Sequence, residues 1–424
     1  MFNLSLLSFH YEERSTRIIP APPHELVALR WPGDPGASGG RANRTGFAYE
    51  AHVPGPIATW DIAFPGALAA DLARSDEAVR ELDRHGPRLA ALAWPLLRAE
   101  AIASSRIEGL AVGHQRLALA ERDVTEDPTA RAVAGNLAAL RRSLTVAEAD
   151  LSPATFDDVH RVLLAGTPGA ERAGRIRDVQ NWIGGLHPNP RGAAFVPPPP
   201  ERVPALLADL SAFCARDDLP AVAQAAIAHV QFETIHPYVD GNGRVGRALV
   251  QVILRRRGLA REVLPPVSLV LGALGDRYVR GLTSFRDGNA EAWLTFFAEA
   301  VHRAARIGED LADAVADLQD EWARRAGHPR RDSAAAALIR RLPEEPVVDL
   351  RTARRLTGAT PQATLRAIDR LADSDVLREI SGRRRGRLWE SVGLFALLDE
   401  VRALSPPEPS RRRGAGRGRA GSGS

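Results

Sequence analysis

The stretch HPYVDGNGRVGR, residues 236–247, decides how this chain is read. Gly241, Gly243 and Gly246 share the G-x-G-x-x-G spacing of a dinucleotide-binding turn. That turn must follow a strand and open a helix inside a βαβ unit. The preceding segment, AVAQAAIAHVQFETI (221–235), instead places Val222, Ala226, Ile227 and Val230 at helical spacing, and no doubly wound pattern surrounds it. The glycines therefore belong to a loop between two helices.

Such a loop can hold a phosphate. The backbone N–H groups of Gly241, Asn242 and Gly243 can turn inward as an anion nest, and the helix that starts there adds the positive end of its dipole. Arg244 opens that helix, and Arg247 follows on the same face. Two arginines beside a nest suit a polyphosphate. Asp240 at the lip would repel phosphate unless a cation lay between, which points to Mg²⁺. His236, just upstream, is placed to take a proton from an incoming hydroxyl. His160 and His229 lie on other helices and read as packed or hydrogen-bonded side chains.

The stretch resembles the signature of the Fic family of protein AMP-transferases, H-P-F-x-D/E-G-N-G-R-x-x-R. Every specified position matches except that Tyr238 replaces phenylalanine. The tyrosine is accommodated if its hydroxyl finds a partner. The related Doc kinases carry a lysine where Gly243 stands, so the resemblance favours AMP transfer over phosphorylation. RAEAIASSRIEGL (98–110) looks like the family's amino-terminal domain, and GRIRDVQNWIGG through AAFVPPPP (174–200) looks like its flap hairpin. RGLTSFRDGNAEAWLTFFAEAV (280–301) is similar to the helices that follow its core.

The resemblance implies a mechanism. ATP would bind with its α-phosphate at the nest, and Asn242 with the Gly241–Gly243 backbone would form the anion hole. Mg²⁺ would sit on Asp240, and Arg244 and Arg247 would take the β- and γ-phosphates. A Ser, Thr or Tyr hydroxyl of a target protein, or of the chain itself, would attack. His236 would accept its proton and pyrophosphate would leave. The flap, through Gln180, Asn181, Trp182, Ile183 and Gly184, would present the target as an added strand. SSRIEG fits the family's inhibitory pattern S/T-x-x-x-E-G/N with Ser104, Glu108 and Gly109. In that pattern the glutamate pairs with the second arginine, here Arg247, and displaces the γ-phosphate. In some relatives the same glutamate aligns a water that removes AMP, and the resemblance leaves that activity open, as it does a homodimer.

Composition sets the frame. The 424 residues are 45% hydrophobic and 25% charged, ordinary for a globular chain with a sizeable core. The net charge is +4, carried entirely by arginine, since the chain has no lysine. The single Cys214 excludes an intramolecular disulfide framework and fits a reducing compartment. No apolar run is long enough to span a bilayer, and MFNLSLLSF lacks the basic start of a signal peptide. A soluble cytoplasmic protein with no membrane partner is expected.

The expected fold is mainly α: a Fic-type helical bundle with a short β-hairpin flap, plus a carboxyl-terminal winged helix-turn-helix. Residues 1–55 are poorly patterned, and PGDPGASGGRANRTG reads as loop or disorder. Residues 56–125 form an amino-terminal helical domain with the inhibitory motif, and 126–325 the catalytic core. Pro95 implies two helices or a kink near the start of the first domain. Ser152 is the expected N-cap of a helix that stops at Gly166. Residues 330–402 show short helices followed by two strands around a basic turn, the order of a winged helix. Residues 403–424 read as a disordered basic tail. If the winged unit reads DNA, TPQATLRAIDRLADSD would be its recognition helix, with Arg366 and Arg370 at the groove and Arg383, Arg384, Arg385 and Arg387 on phosphates. The alternative to an enzyme is then a DNA-binding regulator whose Fic domain senses nucleotide. Otherwise the unit binds protein.

Overall fold

The computed structural model describes residues 19–33, 35, 36, 41–84, 93–147, 151–185, 189–382 and 386–403. Two strands, β1 (Glu25–Trp31) and β2 (Phe47–Val53), precede the helices α1 (Gly66–Arg84), α2 (Ala93–Ile107), α3 (His114–Ala120), α4 (Pro128–Val146) and α5 (Pro153–Leu164). The central helices follow: α6 (Val203–Cys214), α7 (Ala221–Ile235), α8 (Asn242–Arg256), α9 (Val267–Ala273), α10 (Gly275–Arg286) and α11 (Ala290–Arg325). The fold is mainly α, as expected.

Helix α7 is buried along its whole length, Ala221 to Ile235, which is why its sequence is apolar and alanine-rich on every face. Neighbouring α8 packs along it, with α4 and α5 beyond. The 36-residue α11 runs against α1, and the two backbones come close at Gly308, where a Cβ would lie 2.8 Å from Leu82. Starts follow local chemistry. Asp127 caps α4 by accepting from Thr129 N at 2.9 Å, with Pro128 next. Ser152 and Thr155 form a capping box at α5, and the chain leaves that helix through Gly166 at φ +72°. Pro95 lies in the first turn of α2, where its missing N–H breaks no intrahelical bond. Residues 85–92, where a second helix or kink was expected, lie outside the described residues.

Two expectations change. The stretch left unpatterned contains a seven-residue antiparallel ribbon, with Glu25 opposite Val53 and Trp31 opposite Phe47. Its half-exposed strands alternate only weakly, and the breaker-rich loop between them masks the pairing. Among the described residues the flap hairpin shows one antiparallel bridge, Ile183 with Phe195, and Gly184 and Gly185 turn left-handed at φ +76° and +83° just after it. The ribbon braces this flap. His52 N donates to Val196 O at 2.9 Å, and Trp31 meets Trp182 edge to face at 5.7 Å.

Beyond α11 come α12 (Ala334–Arg341), β3 (Val347–Val348), α13 (Leu350–Thr357), α14 (Pro361–Asp373), β4 (Leu377–Glu379), β5 (Trp389–Ser391) and α15 (Leu394–Ala403). The strands form a sheet in the order β3-β5-β4. This unit is tied to α2. Arg98 of α2 bonds Glu121 at 2.7 Å and the Glu344 carbonyl at 2.9 Å, and Arg122 pairs with Asp349 at 2.9 Å. Arg370, expected at a DNA groove, donates to the carbonyls of Ala326 and Gly327 and pins α14 to the end of α11. Arg387, expected on a phosphate, pairs with Glu379 instead. Arg366 is exposed, while Arg383, Arg384 and Arg385 lie outside the described residues, as does most of the basic tail.

Candidate active site

The signature forms the turn between α7 and α8. His236 ends α7 at φ +48°, donating its N–H to Phe232 O at 2.9 Å. Gly241 starts α8 at φ +83°, and a Cβ there would lie 2.9 Å from Leu163, so both backbone and space call for glycine. Asn242 closes the turn on itself: its Oδ1 accepts from Tyr238 N and its Nδ2 donates to Tyr238 O, both at 2.8 Å. Asn242 is buried and shapes the loop.

Tyr238 finds the partner its hydroxyl needs, donating to Asp157 Oδ1 at 2.9 Å. Its ring stacks on His160 at 3.8 Å and 5°. His160 accepts from Gly174 N at Nδ1 (2.9 Å), so Nε2 carries the proton and donates to Asp240 O at 3.0 Å. Burial holds this imidazole neutral, down to about 4. His229 is likewise a packed core residue, bonded through Nε2 to the Tyr278 hydroxyl at 2.8 Å.

Arg177 was not anticipated. It is buried, and its guanidinium bonds the carbonyls of His236 (2.8 Å), Val179 (3.1 Å) and Pro198 (2.6 Å). It thereby joins both ends of the flap to the catalytic turn. Nothing in GRIRDV distinguishes it from a surface arginine. The flap side chains Gln180 and Asn181 also turn inward, to Pro197 O at 2.9 Å and Tyr238 O at 3.0 Å. They build the flap from within, which is compatible with the expected presentation of a target along the flap backbone. Trp182, Ile183 and Gly184 stand at its bridge.

The charges converge on the start of α8. Arg244 and Arg247 are both buried. Arg244 reaches the exposed Asp240 at 3.3 Å, and its own Nε has no hydrogen-bond partner. Arg247 donates Nε to Ser104 Oγ (2.9 Å), and Nη2 to Ser104 O (2.9 Å) and Glu108 Oε1 (2.8 Å). Residues 143 and 139 positions apart thus meet as the inhibitory pattern implied. Burial pushes Glu108's carboxyl up, but the adjoining Arg247 outweighs it and the net shift is down. A Cβ on Gly243 would lie 2.0 Å from Glu108 Oε1. Gly243 therefore clears the seat in which that carboxylate rests, at a helix start suited to an anion.

His236 is kept neutral: burial, with Arg177 and Arg286 nearby, pushes its imidazole down to about 4. Its Nδ1 lies 3.4 Å from the Glu233 carbonyl. Glu233 is another residue that sequence reasoning missed. It is buried, its Oε1 has no hydrogen-bond partner, and burial pushes its carboxyl up to about 7 against the pull of Arg247.

This turn belongs to a known class. Residues 150–254 match the Fic/DOC family and residues 69–145 match the Fic/DOC family N-terminal domain. Among similar proteins, the protein adenylyltransferase fic-1 of Caenorhabditis elegans is 33% identical over 117 residues, 26% of this chain and 21% of that one. The probable protein adenylyltransferase aq_aa38 of Aquifex aeolicus is 45% identical over 69 residues, 16% of this chain and 22% of that one. The chain thus spans about a fifth of the length of these curated relatives. Of solved structures, a Fic family protein from Desulfovibrio desulfuricans is 22% identical with a TM-score of 0.49, covering 78% of this chain and 98% of the other.

Proposed function

We propose that the chain is a protein adenylyltransferase restrained by its own Glu108. ATP seats its phosphates at the start of α8. A Ser, Thr or Tyr hydroxyl of a target protein attacks the α-phosphorus. The hydroxyl proton passes to His236, the O–P bond forms, and pyrophosphate leaves. His236 suits this task because it is unprotonated at neutral pH, and a Nδ1–H directed at the Glu233 carbonyl leaves the Nε2 lone pair for the incoming proton. Arg244, with an unpartnered Nε, and Arg247 supply fixed positive charge where negative charge accumulates.

Mg²⁺ fits the residues present. Asp240 is an exposed carboxylate beside the turn, and no cluster of three or more His, Cys, Asp or Glu side chains occurs among the described residues. A magnesium ion bound by one carboxylate plus phosphates and water needs no more than that. Bound there, it would neutralise phosphate charge. Asp240 would have to release Arg244 in part to hold it.

The observation that carries the reading is the 2.8 Å pair between Glu108 and Arg247, set over Gly243. The test is transfer of label from ATP carrying a labelled α-phosphate. Labelled protein with Glu108→Gly, and none with Glu108→Gly combined with His236→Ala, is the expected result. Label on neither defeats it. We read residues 330–402 as a winged-helix interaction module. Its candidate groove arginine, Arg370, is occupied by backbone carbonyls, which disfavours the DNA-regulator alternative.

A further inference from the structure

A cavity of about 310 Å³ lies behind the inhibitory helix, apart from the turn that holds His236. Four parts of the chain line it: α2, α3 through His114, the α9–α10 pair, and the last helix α15 through Leu398 and Val401. It exists because the facing positions are small. Ala99 and Ala103 stand on one side, Gly272 and Gly275 on the other, and a Cβ on Gly275 would meet nothing within 4 Å. The cavity opens to solvent on the side of Asp276 and Val279, so a ligand can enter without the fold opening. The lining is mostly apolar, with Arg106, His114, Ser268 and Asp276 also at its wall. An apolar cavity of about 150 Å³ already takes a benzene ring, so twice that volume suits a two-ring molecule. With a cation and an anion in the wall, a net charge on the ligand gains little. A neutral hydrogen-bonding group can use either.

Two of its walls touch the restraint. Ile107 adjoins Glu108 in the chain, and its Cγ1 lies 3.3 Å from where a Cβ of Gly272 would be. Tyr278, on the other wall, bonds His229 at 2.8 Å and faces Arg247. A ligand that fills the space therefore packs against the neighbours of both members of the Glu108–Arg247 pair.

We propose that this cavity is a regulatory site for a small, uncharged, ring-bearing apolar molecule, and that its occupancy strengthens the Glu108–Arg247 pair. The cavity is complete in the arrangement in which the pair is formed. A ligand that prefers this arrangement stabilises it and opposes whatever breaks it. ATP is what breaks it, if Glu108 restrains the chain as proposed above. The ligand and ATP are then antagonists, each weakening the other by the same factor. The binding half of the proposal does not depend on that reading.

The probe is indole, titrated calorimetrically into the full-length chain. Wild type is expected to bind it at millimolar concentration or below. Ala103→Leu and Gly275→Leu, which fill the space from opposite walls, are expected to weaken it by about tenfold or more. No binding to wild type, or wild-type binding by both folded leucine variants, overturns the site. Saturating ATP is expected to weaken indole roughly five- to tenfold in wild type and not in Glu108→Gly. An indole affinity indifferent to ATP in wild type overturns the regulatory half. If ATP weakens indole as expected but no variant ever transfers label, the cavity stands and the transferase reading falls.

Discussion

Arg247 spends a single buried guanidinium on two residues of the same helix turn: Nε and Nη2 hold Ser104, and Nη2 also holds Glu108 at 2.8 Å. Helix α2 is thereby docked on the start of α8 through Arg247, whose guanidinium meets a carboxylate, a hydroxyl and a carbonyl.

Removing the glutamate should activate. A hydrogen bond to a charged group is worth about 1.5–3 kcal/mol, and 1.4 kcal/mol is about tenfold. Glu108→Gly should raise AMP labelling roughly ten- to a hundredfold, and adding Arg247→Ala should cancel most of the gain. Ser104→Ala should activate more weakly, by about threefold. Labelling by Glu108→Gly no greater than wild type across a range of ATP concentrations would remove Glu108 from the control of this site.

Gly243 offers a separate test of the same seat. Its Cα borders both the Glu108 carboxylate and the site read as the phosphate cradle. Gly243→Ala should expel Glu108 and yet fail to activate, because the methyl also obstructs phosphate. Placing it in the Glu108→Gly background should cost at least about tenfold in labelling. If the double variant labels as fast as Glu108→Gly alone, the phosphates do not sit there.

Tyr238→Phe restores the family residue and should be nearly silent in catalysis. It leaves the Asp157 carboxyl without the phenol, at a cost of about 0.5–1.5 kcal/mol, read as a drop of a few degrees in thermal unfolding. His236→Ala should do the reverse: little change in Tm, and a loss of about 10²–10⁴-fold in transfer. A tyrosine variant with catalysis lost and Tm unchanged would mean the hydroxyl acts on substrate.

Acid should destabilise the chain. His160 and His236 are held at about 4 and His229 at about 3, below the unfolded 6.5, each chiefly by burial. A depressed folded pKa gives stability that is complete above the unfolded value and lost as pH falls through the folded one. Each unit is worth about 1.4 kcal/mol before allowance for solvent reaching His236. Glu233, raised to about 7, has the opposite sign: its contribution is complete at low pH and lost as pH rises through 7. Tm should peak near pH 6.5–7 and fall steadily toward pH 4.5. A flat profile over that interval contradicts the burial of the histidines as neutral groups.

Arg370 and Arg366 separate the two readings of the carboxyl-terminal unit. Arg370→Ala should lower its stability by roughly 1–3 kcal/mol, seen as faster amide exchange in α14, because two carbonyls at the end of α11 lose their donor. Arg366→Ala should leave stability unchanged. If duplex DNA shifts the chain at low salt and Arg366→Ala weakens that shift, the DNA reading regains ground.

Much of the site was legible without coordinates because its chemistry is local. Residues 236–247 form one turn and one helix start, and a short stretch of chain can specify both through its glycines, its Asn242 and its arginine spacing. The apolar run of α7 and the Ser152 cap of α5 were readable for the same reason: periodicity and end signals act over one or two turns. The Ser104–Glu108 match to Arg247 came from likeness to a family, since no local rule connects positions that far apart.

What only the tertiary structure decided is what depends on partners distant in sequence. Arg177 and Glu233 look like ordinary charged residues until burial gives one four carbonyls and leaves the other's Oε1 with no partner. Gln180, Asn181 and Asn242 carry amides that serve a ligand or a backbone equally well, and the folded geometry gives them to the backbone. The ribbon of β1 and β2 needed its two strands side by side before its weak alternation meant anything. The cavity beside Ile107 arises where α2, α3, α9, α10 and α15 converge, and no single segment records a space that five must leave between them.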